Sequence, residues 1–131
     1  MVIDTSALIA AILKEPDAQD LLDAILRDES RQMSAATLTE ARIVAFGKLS
    51  HGGVADLDEL LSVLEIKIVP HDEALAKEAS LAFQKYGKGT GHKAQLNFGD
   101  CFAYALAKAT GEALLFKGTD FQETDITAVT V

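Results

Sequence analysis

A chain of 131 residues suits one domain, spanning 1–131, with one hydrophobic core. Apolar residues make up 49% of it, enough to fold without covalent staples, and the lone Cys101 excludes an internal disulfide framework and fits a reducing compartment. The formal net charge of −8 argues against a broad nucleic-acid footprint, though it leaves room for a local basic strip. It fits a site that gathers carboxylates for metal ions, or a protein met by a basic partner. No basic-then-apolar leader precedes Asp4 and no apolar run approaches membrane-spanning length, so a cytoplasmic protein without a membrane partner is expected.

Periodicity predicts short strands alternating with helices. Val2 and Ile3 form a first strand, and Asp4 follows it. Ala18, Leu21, Leu22, Ile25 and Leu26 repeat at helical spacing. Gln32–Ser34 reads as a weak second strand. The next helix, about 37–49, is apolar on most faces, so it is expected to be buried against more than the sheet. His51-Gly52-Gly53 stops it, and Leu57, Leu60, Leu61 and Leu64 mark another helix. A third strand covers 66–69 before Pro70, and Asp72 can cap the helix carrying Leu75, Ala79, Ala82, Phe83 and Tyr86. A glycine-rich loop leads to a helix with Phe102, Ala105, Leu106 and Ala109 on one face, ended by Gly111. "ALLF" at 113–116 is a fourth strand, and 126–131 is expected as a fifth at an edge. Strands separated by helices imply an α/β three-layer sandwich around a central parallel sheet of about five strands.

Parallel sheets bind ligands beyond the carboxyl ends of their strands. Asp4 follows the first strand, Glu40 the second, and Asp120 in "FKGTDF" the fourth, so topology brings three acids to one edge. Asp100 opens a helix after a long loop, and periodicity does not say where that start points. Each acid also has a structural role available. Asp4 can cap the helix beginning at Thr5 or Ser6; Thr37-Leu38-Thr39-Glu40 matches a capping box. Asp100 complements a helix dipole, with Asn97 as a cap, and Asp120 sits in a Gly-Thr-Asp turn. Jointly, converging carboxylates repel one another, which raises a pKa or requires a cation.

All-oxygen ligands favour Mg2+ or Mn2+. His51, His71 and His92 lack zinc spacing; His71 reads as a turn residue beside Pro70, and Cys101 as a packed small residue. Ser6 and Thr119 lie beside Asp4 and Asp120, where short hydroxyls can orient a carboxylate or a metal-bound water. The loop "GKGTGHKAQLNFG" lacks the phosphate-loop spacing. It reads either as a solvated loop or as a phosphate-contacting arm, with Lys88, His92 and Lys93, joined by Lys117 ahead of Asp120. Arg42 is a partner contact or a solvated helix residue.

"VIDTSALIA" at the amino terminus, "SAATLTEA" with Glu40, and "LNFGDCFAYALAKATGEALLFKGTDF" followed by "TDI" resemble PIN-domain ribonucleases, and more narrowly the VapC toxins of VapBC toxin–antitoxin pairs. The resemblance covers essentially the whole chain. It implies a PIN-like fold and a Mg2+- or Mn2+-dependent endoribonuclease using one or two ions, with RNA as substrate. The family's acidic quartet falls on Asp4, Glu40, Asp100 and Asp120 as catalytic and metal-binding residues, and its hydroxyls fall on Ser6 and Thr119. It further implies a homodimer and a cognate VapB-like antitoxin. Asp125 stands outside that set. Two other readings compete: a non-catalytic PIN-like interaction module, and a phosphatase of the haloacid-dehalogenase type with Asp4 as nucleophile. The second is opposed by Ser6, which stands where that class carries a second acid. A response-regulator receiver is opposed by the isolation of Asp4, since such domains begin with adjacent acids.

Overall fold

Four short parallel strands run through the centre of the molecule: Val2–Ile3 (β1), Gln32–Ser34 (β2), Lys67–Val69 (β3) and Leu114–Leu115 (β4). The structure, a computed structural model, describes all 131 residues, Met1–Val131. The strand order is β3-β2-β1-β4, so β1 lies between two partners, with Val2 opposite both Gln32 and Leu114. The chain winds outward from β1 to β2 to β3, then returns to place β4 on the far side of β1. That reversal opens a crevice at the carboxyl ends of β1 and β4, where open α/β sheets take their ligands.

The helices fill two layers. Thr5–Ile12 (α1), Ala18–Arg27 (α2) and Ala35–Val63 (α3) pack with Ile3, Met33 and Leu115 in one apolar cluster. Glu73–Tyr86 (α4) and Asp100–Thr110 (α5) pack with Val2 and Leu114 in another. Adjacent strand residues thus serve opposite faces, as the two-residue period requires. Asp72 caps α4 by accepting the Leu75 N–H at 2.9 Å, as its position predicts. Gly111 closes α5 in the left-handed conformation, φ 70°. No helix is long and apolar enough to cross a membrane.

Two expectations change. The fifth strand over 126–131 does not form; only a single bridge joins Leu114 to Ala128, because this largely exposed segment meets a two-residue strand with little ladder to extend. The separate helices around 37–49 and 57–64 are two halves of α3, bent at Ser50, whose φ of 57° and ψ of −150° leave the helical region. The halves meet closely at Gly53: a β-carbon there would lie 2.6 Å from the Ala45 carbonyl oxygen. As expected, α3 is buried against more than the sheet, since it also packs on α1. Thr37, Ala41 and Ala45 point inward, whereas Ile43 is 67% and Phe46 50% exposed. His71 is more than a turn residue; its ring stands edge-on to Phe102 at 4.9 Å.

Leu57 is fully buried on the second half of α3 and joins the cluster of α1 and α2. Leu57→Ala is expected to destabilise the fold by about 2–5 kcal/mol. Urea unfolding checks this as a lower midpoint at unchanged slope.

Candidate active site

Asp4 sits where β1 ends and α1 begins. Its backbone N–H donates to the Leu115 carbonyl at 2.9 Å, which continues the β1–β4 ladder. Its side chain caps α1: Oδ2 accepts the Ser6 N–H at 3.0 Å and the Ser6 hydroxyl at 2.6 Å. The same hydroxyl accepts the Lys117 N–H at 2.9 Å, tying the cap to the segment after β4. Oδ1 has no hydrogen-bond partner, although the residue is only 4% exposed. Burial pushes the carboxyl up to about 6; the Ser6 bonds oppose this and the Glu40 charge adds to it.

Asp100 enters the same crevice from α5. It exchanges bonds with Asn97: the Asn97 N–H donates to Asp100 Oδ2, and the Asp100 N–H to Asn97 Oδ1, both at 2.9 Å. This reciprocal pairing has the form of a capping box and fixes the helix start against the sheet edge. Burial again dominates its titration, pushing it up to about 7. The Asn97 N–H lowers it, and the charges of Asp4, Asp120 and Glu40 raise it.

Glu40 and Asp120 complete the set, and all four acids line one open pocket. Glu40 lies in the second turn of α3, not the first, because Ser34 caps the helix by accepting the Ala36 N–H. The capping box expected from Thr37 to Glu40 therefore does not form; the Glu40 carboxylate accepts the Thr5 hydroxyl instead, at 2.5 Å. Asp120 is exposed at the rim, in the turn after β4.

The donors in this pocket suit a hard cation. All four side chains offer oxygen, and a bound ion would partner the orphaned Asp4 Oδ1. No three carboxylate, imidazole or thiol groups stand close enough to form a ready-made cage. Mg2+ does not need one, since it takes one or two carboxylates and keeps several waters.

The predicted helpers divide. Ser6 holds Asp4, as expected. Thr119 does not act on Asp120: it is exposed, and its hydroxyl bonds to no carboxylate, only its carbonyl accepting from Gln122. Lys117 is paired with Asp17 and with Glu15, a fifth acid on the pocket wall. His92 is held in its own loop, Nδ1 accepting the Ala94 N–H at 3.0 Å and the ring standing edge-on to Tyr86. Lys93 is exposed and pairs with Glu123 at 3.0 Å; Lys88 is exposed. None of these four lines the pocket. The cation that does is Lys48, which sequence reasoning missed. Glu40, Val44 and Lys48 are spaced four apart along α3, and that spacing was the available signal. Asp125 lies apart, bound by Tyr104 and Lys108, and Arg42 pairs with Asp58. Cys101 is buried, its thiol pushed up to about 11 by burial and the Asp100 charge, which leaves it inert.

The PIN-domain family profile matches residues 1–126. A Ribonuclease VapC of Mycolicibacterium smegmatis is 47% identical over 129 residues, covering 98% of this chain and 99% of its own. Ribonuclease VapC30 of Mycobacterium tuberculosis is 45% identical over 129 residues, covering 98% of each chain. Among solved structures, the sarcin–ricin-loop-cleaving toxin VapC20 of Mycobacterium tuberculosis aligns with a TM-score of 0.79 at 12% identity, over 99% of this chain and 98% of its own. VapBC2 from Rickettsia felis aligns with a TM-score of 0.76 at 17% identity, over 98% and 96%. The fold, the sequence identity and the acid-lined crevice agree, and the chain belongs to the PIN-domain family, among the VapC ribonucleases.

Proposed function

We propose that the protein is a Mg2+- or Mn2+-dependent endoribonuclease, acting in the cytoplasm as the toxin of a type II toxin–antitoxin pair and hydrolysing RNA phosphodiester bonds. The observation that carries the metal site is Asp4: a buried carboxylate with one oxygen lacking any donor, in a pocket shared with Asp100, Glu40 and Asp120. Relatives named as VapC ribonucleases over nearly the whole chain supply the reaction class.

Asp4 and Asp100 would hold the ion, because both are buried and each has an oxygen outside its fixed hydrogen bonds. When bound, a divalent ion lowers the pKa of a water and stabilises charge on the phosphate under attack. Ser6 and Asn97 keep the two carboxylates from rotating. Glu40 or Asp120 orients the attacking water and takes its proton. Lys48 stands at the rim, where it meets a phosphate of the RNA backbone, and Lys88 and Lys93 extend that contact along the Gly87–Gly99 loop.

Partners follow from the surface. Ile43, Phe46 and Leu49 form an apolar row on the outer side of α3, beside the helix positions that line the pocket. A VapB-like antitoxin with an apolar helix and a basic extension fits that surface, and the net charge of −8 favours its approach. Phe83, Phe98 and Phe102 line a second apolar groove between α4 and α5, which supports a homodimer. A non-catalytic interaction module would not require the four acids to share a pocket.

Asp4→Asn keeps an oxygen for the Ser6 cap and removes the charge, so it is expected to fold and to lose cleavage by at least about two orders of magnitude. Cleavage of an RNA transcript by highly purified protein, with and without EDTA, checks this. Unchanged, chelator-insensitive cleavage by the variant contradicts the metal role.

Both buried acids titrate above the unfolded value near 4, so the folded chain keeps protons the unfolded chain has released. The metal-free protein therefore loses stability as pH rises from about 4 through the folded values near 6 and 7. Between pH 5 and pH 8 in EDTA, the unsubstituted protein is expected to lose on the order of 1–3 kcal/mol relative to Asp4→Asn. Urea melts at the two pH values read this difference, and Mg2+ is expected to reduce it.

Lys48→Ala is expected to weaken binding of a labelled single-stranded RNA and to reduce the slope of log K against log salt by about 0.7. Measuring binding in the Asp4→Asn background prevents cleavage during the titration. An identical slope removes Lys48 from the phosphate contacts.

A further inference from the structure

The Glu40 carboxylate has two close neighbours, and neither is itself an acid. Oε1 accepts the hydroxyl of buried Thr5 at 2.5 Å. That hydroxyl also lies 3.4 Å from the Thr37 carbonyl. It carries one proton, and the shorter, charge-assisted bond to Glu40 takes it. Oε2 lies against Gly99: a β-carbon on that residue would sit 1.4 Å from Oε2 and 2.4 Å from the carboxyl carbon. Gly99 has φ −66° and ψ −39°, a right-handed helical backbone that any residue adopts. Conformation therefore does not demand a glycine here. Room for Glu40 does.

We propose that Thr5 and Gly99 are positioning residues that together set the Glu40 carboxylate in the metal pocket, Thr5 by holding one oxygen and Gly99 by leaving space for the other. The inference rests on the metal-site reading above. Thr5 adjoins Asp4 and Gly99 adjoins Asp100, so the two backbone segments that carry the buried acids also grip the third. The spacing of Glu40 from Asp4 and Asp100 is then set by covalent neighbours of those acids, with α3 supplying only the reach. This arrangement holds three like charges at fixed separations in a protein without a preformed cage.

Mn2+ titration of the metal-free full-length chain, followed by electron paramagnetic resonance, tests this without relying on cleavage. Thr5→Val removes the hydroxyl at nearly constant volume, and Thr5→Ser restores it. Gly99→Ala keeps the backbone and puts one methyl group where the carboxylate lies. Thr5→Val and Gly99→Ala are each expected to weaken Mn2+ binding by about tenfold, with Thr5→Ser within about twofold of the unsubstituted chain. In a Glu40→Ala background neither substitution is expected to weaken binding further, because the group it positions is gone. If Thr5→Val does not fold, Gly99→Ala and its Glu40→Ala counterpart decide alone. Unchanged Mn2+ affinity in the single variants, or equal losses with and without Glu40, overturns the proposal. Failure of the unsubstituted chain to bind Mn2+ overturns the metal-site reading and the proposal with it; binding by that chain with unaffected variants overturns the proposal only.

Discussion

A carboxylate buried without a full complement of donors is the constraint on which the rest of the molecule turns. Asp4 lies where the central strand stops and its first helix starts, so it cannot swing into solvent without giving up the helix cap. Ser6 satisfies one oxygen and joins the β4 side of the crevice through the Lys117 N–H. The other oxygen is left to whatever enters the pocket. Burying a charge in that way is costly, and Glu40, Asp100 and Asp120 on the same pocket deepen the cost. The fold tolerates this where the strand order reverses, since two neighbouring crossovers diverge there and leave an opening.

Much of this was legible in the sequence. Short apolar runs located β1, β3 and β4, while Gln32–Ser34 gave only a weak strand signal, and an acid immediately after a two-residue strand points to a sheet edge. The Asp72 cap and the Gly111 stop followed from local chemistry alone. The errors share a physical cause: they concern where a chain segment points, which a one-dimensional pattern does not encode. Glu40 follows the second strand, but its helix begins at Ala35, so it occupies the second turn and reaches across to Thr5 rather than back to its own backbone. Lys117 adjoins the acids along the chain and yet folds toward Glu15 and Asp17. Lys48 is remote in sequence from every acid but Glu40 and arrives by two turns of helix. The pairing of Asn97 with Asp100 was visible as a possible cap, while its aim into the pocket depended on how α5 packs against the sheet.

The outer face of α3 links chemistry to control. Its apolar residues lie on the same helix as Glu40 and Lys48, so a protein that covers Ile43 and Phe46 also lies beside the opening to the acids. Apolar burial provides the non-directional part of such binding, and the negative pocket attracts any cation the partner carries. On the proposed reading, substrate and inhibitor would compete for one rim. On that reading the strongly acidic composition, unfavourable for RNA, would favour a basic inhibitor.

The segment after α4 leaves and rejoins the body at adjacent points, since Lys88 N–H donates to the Leu96 carbonyl and Leu96 N–H to that of Tyr86. Within that neck Ala94 stays buried in the cluster of α4 and α5 and His92 stands against Tyr86, so only the tip around Gly89–Gly91 is set apart from the body. Residues added at the exposed Gly89–Gly91 tip alter closure entropy only slowly with length, by about 0.6 kcal/mol per doubling. That tip can therefore lengthen without disturbing the pocket the acids line, a modular division inside a very small enzyme.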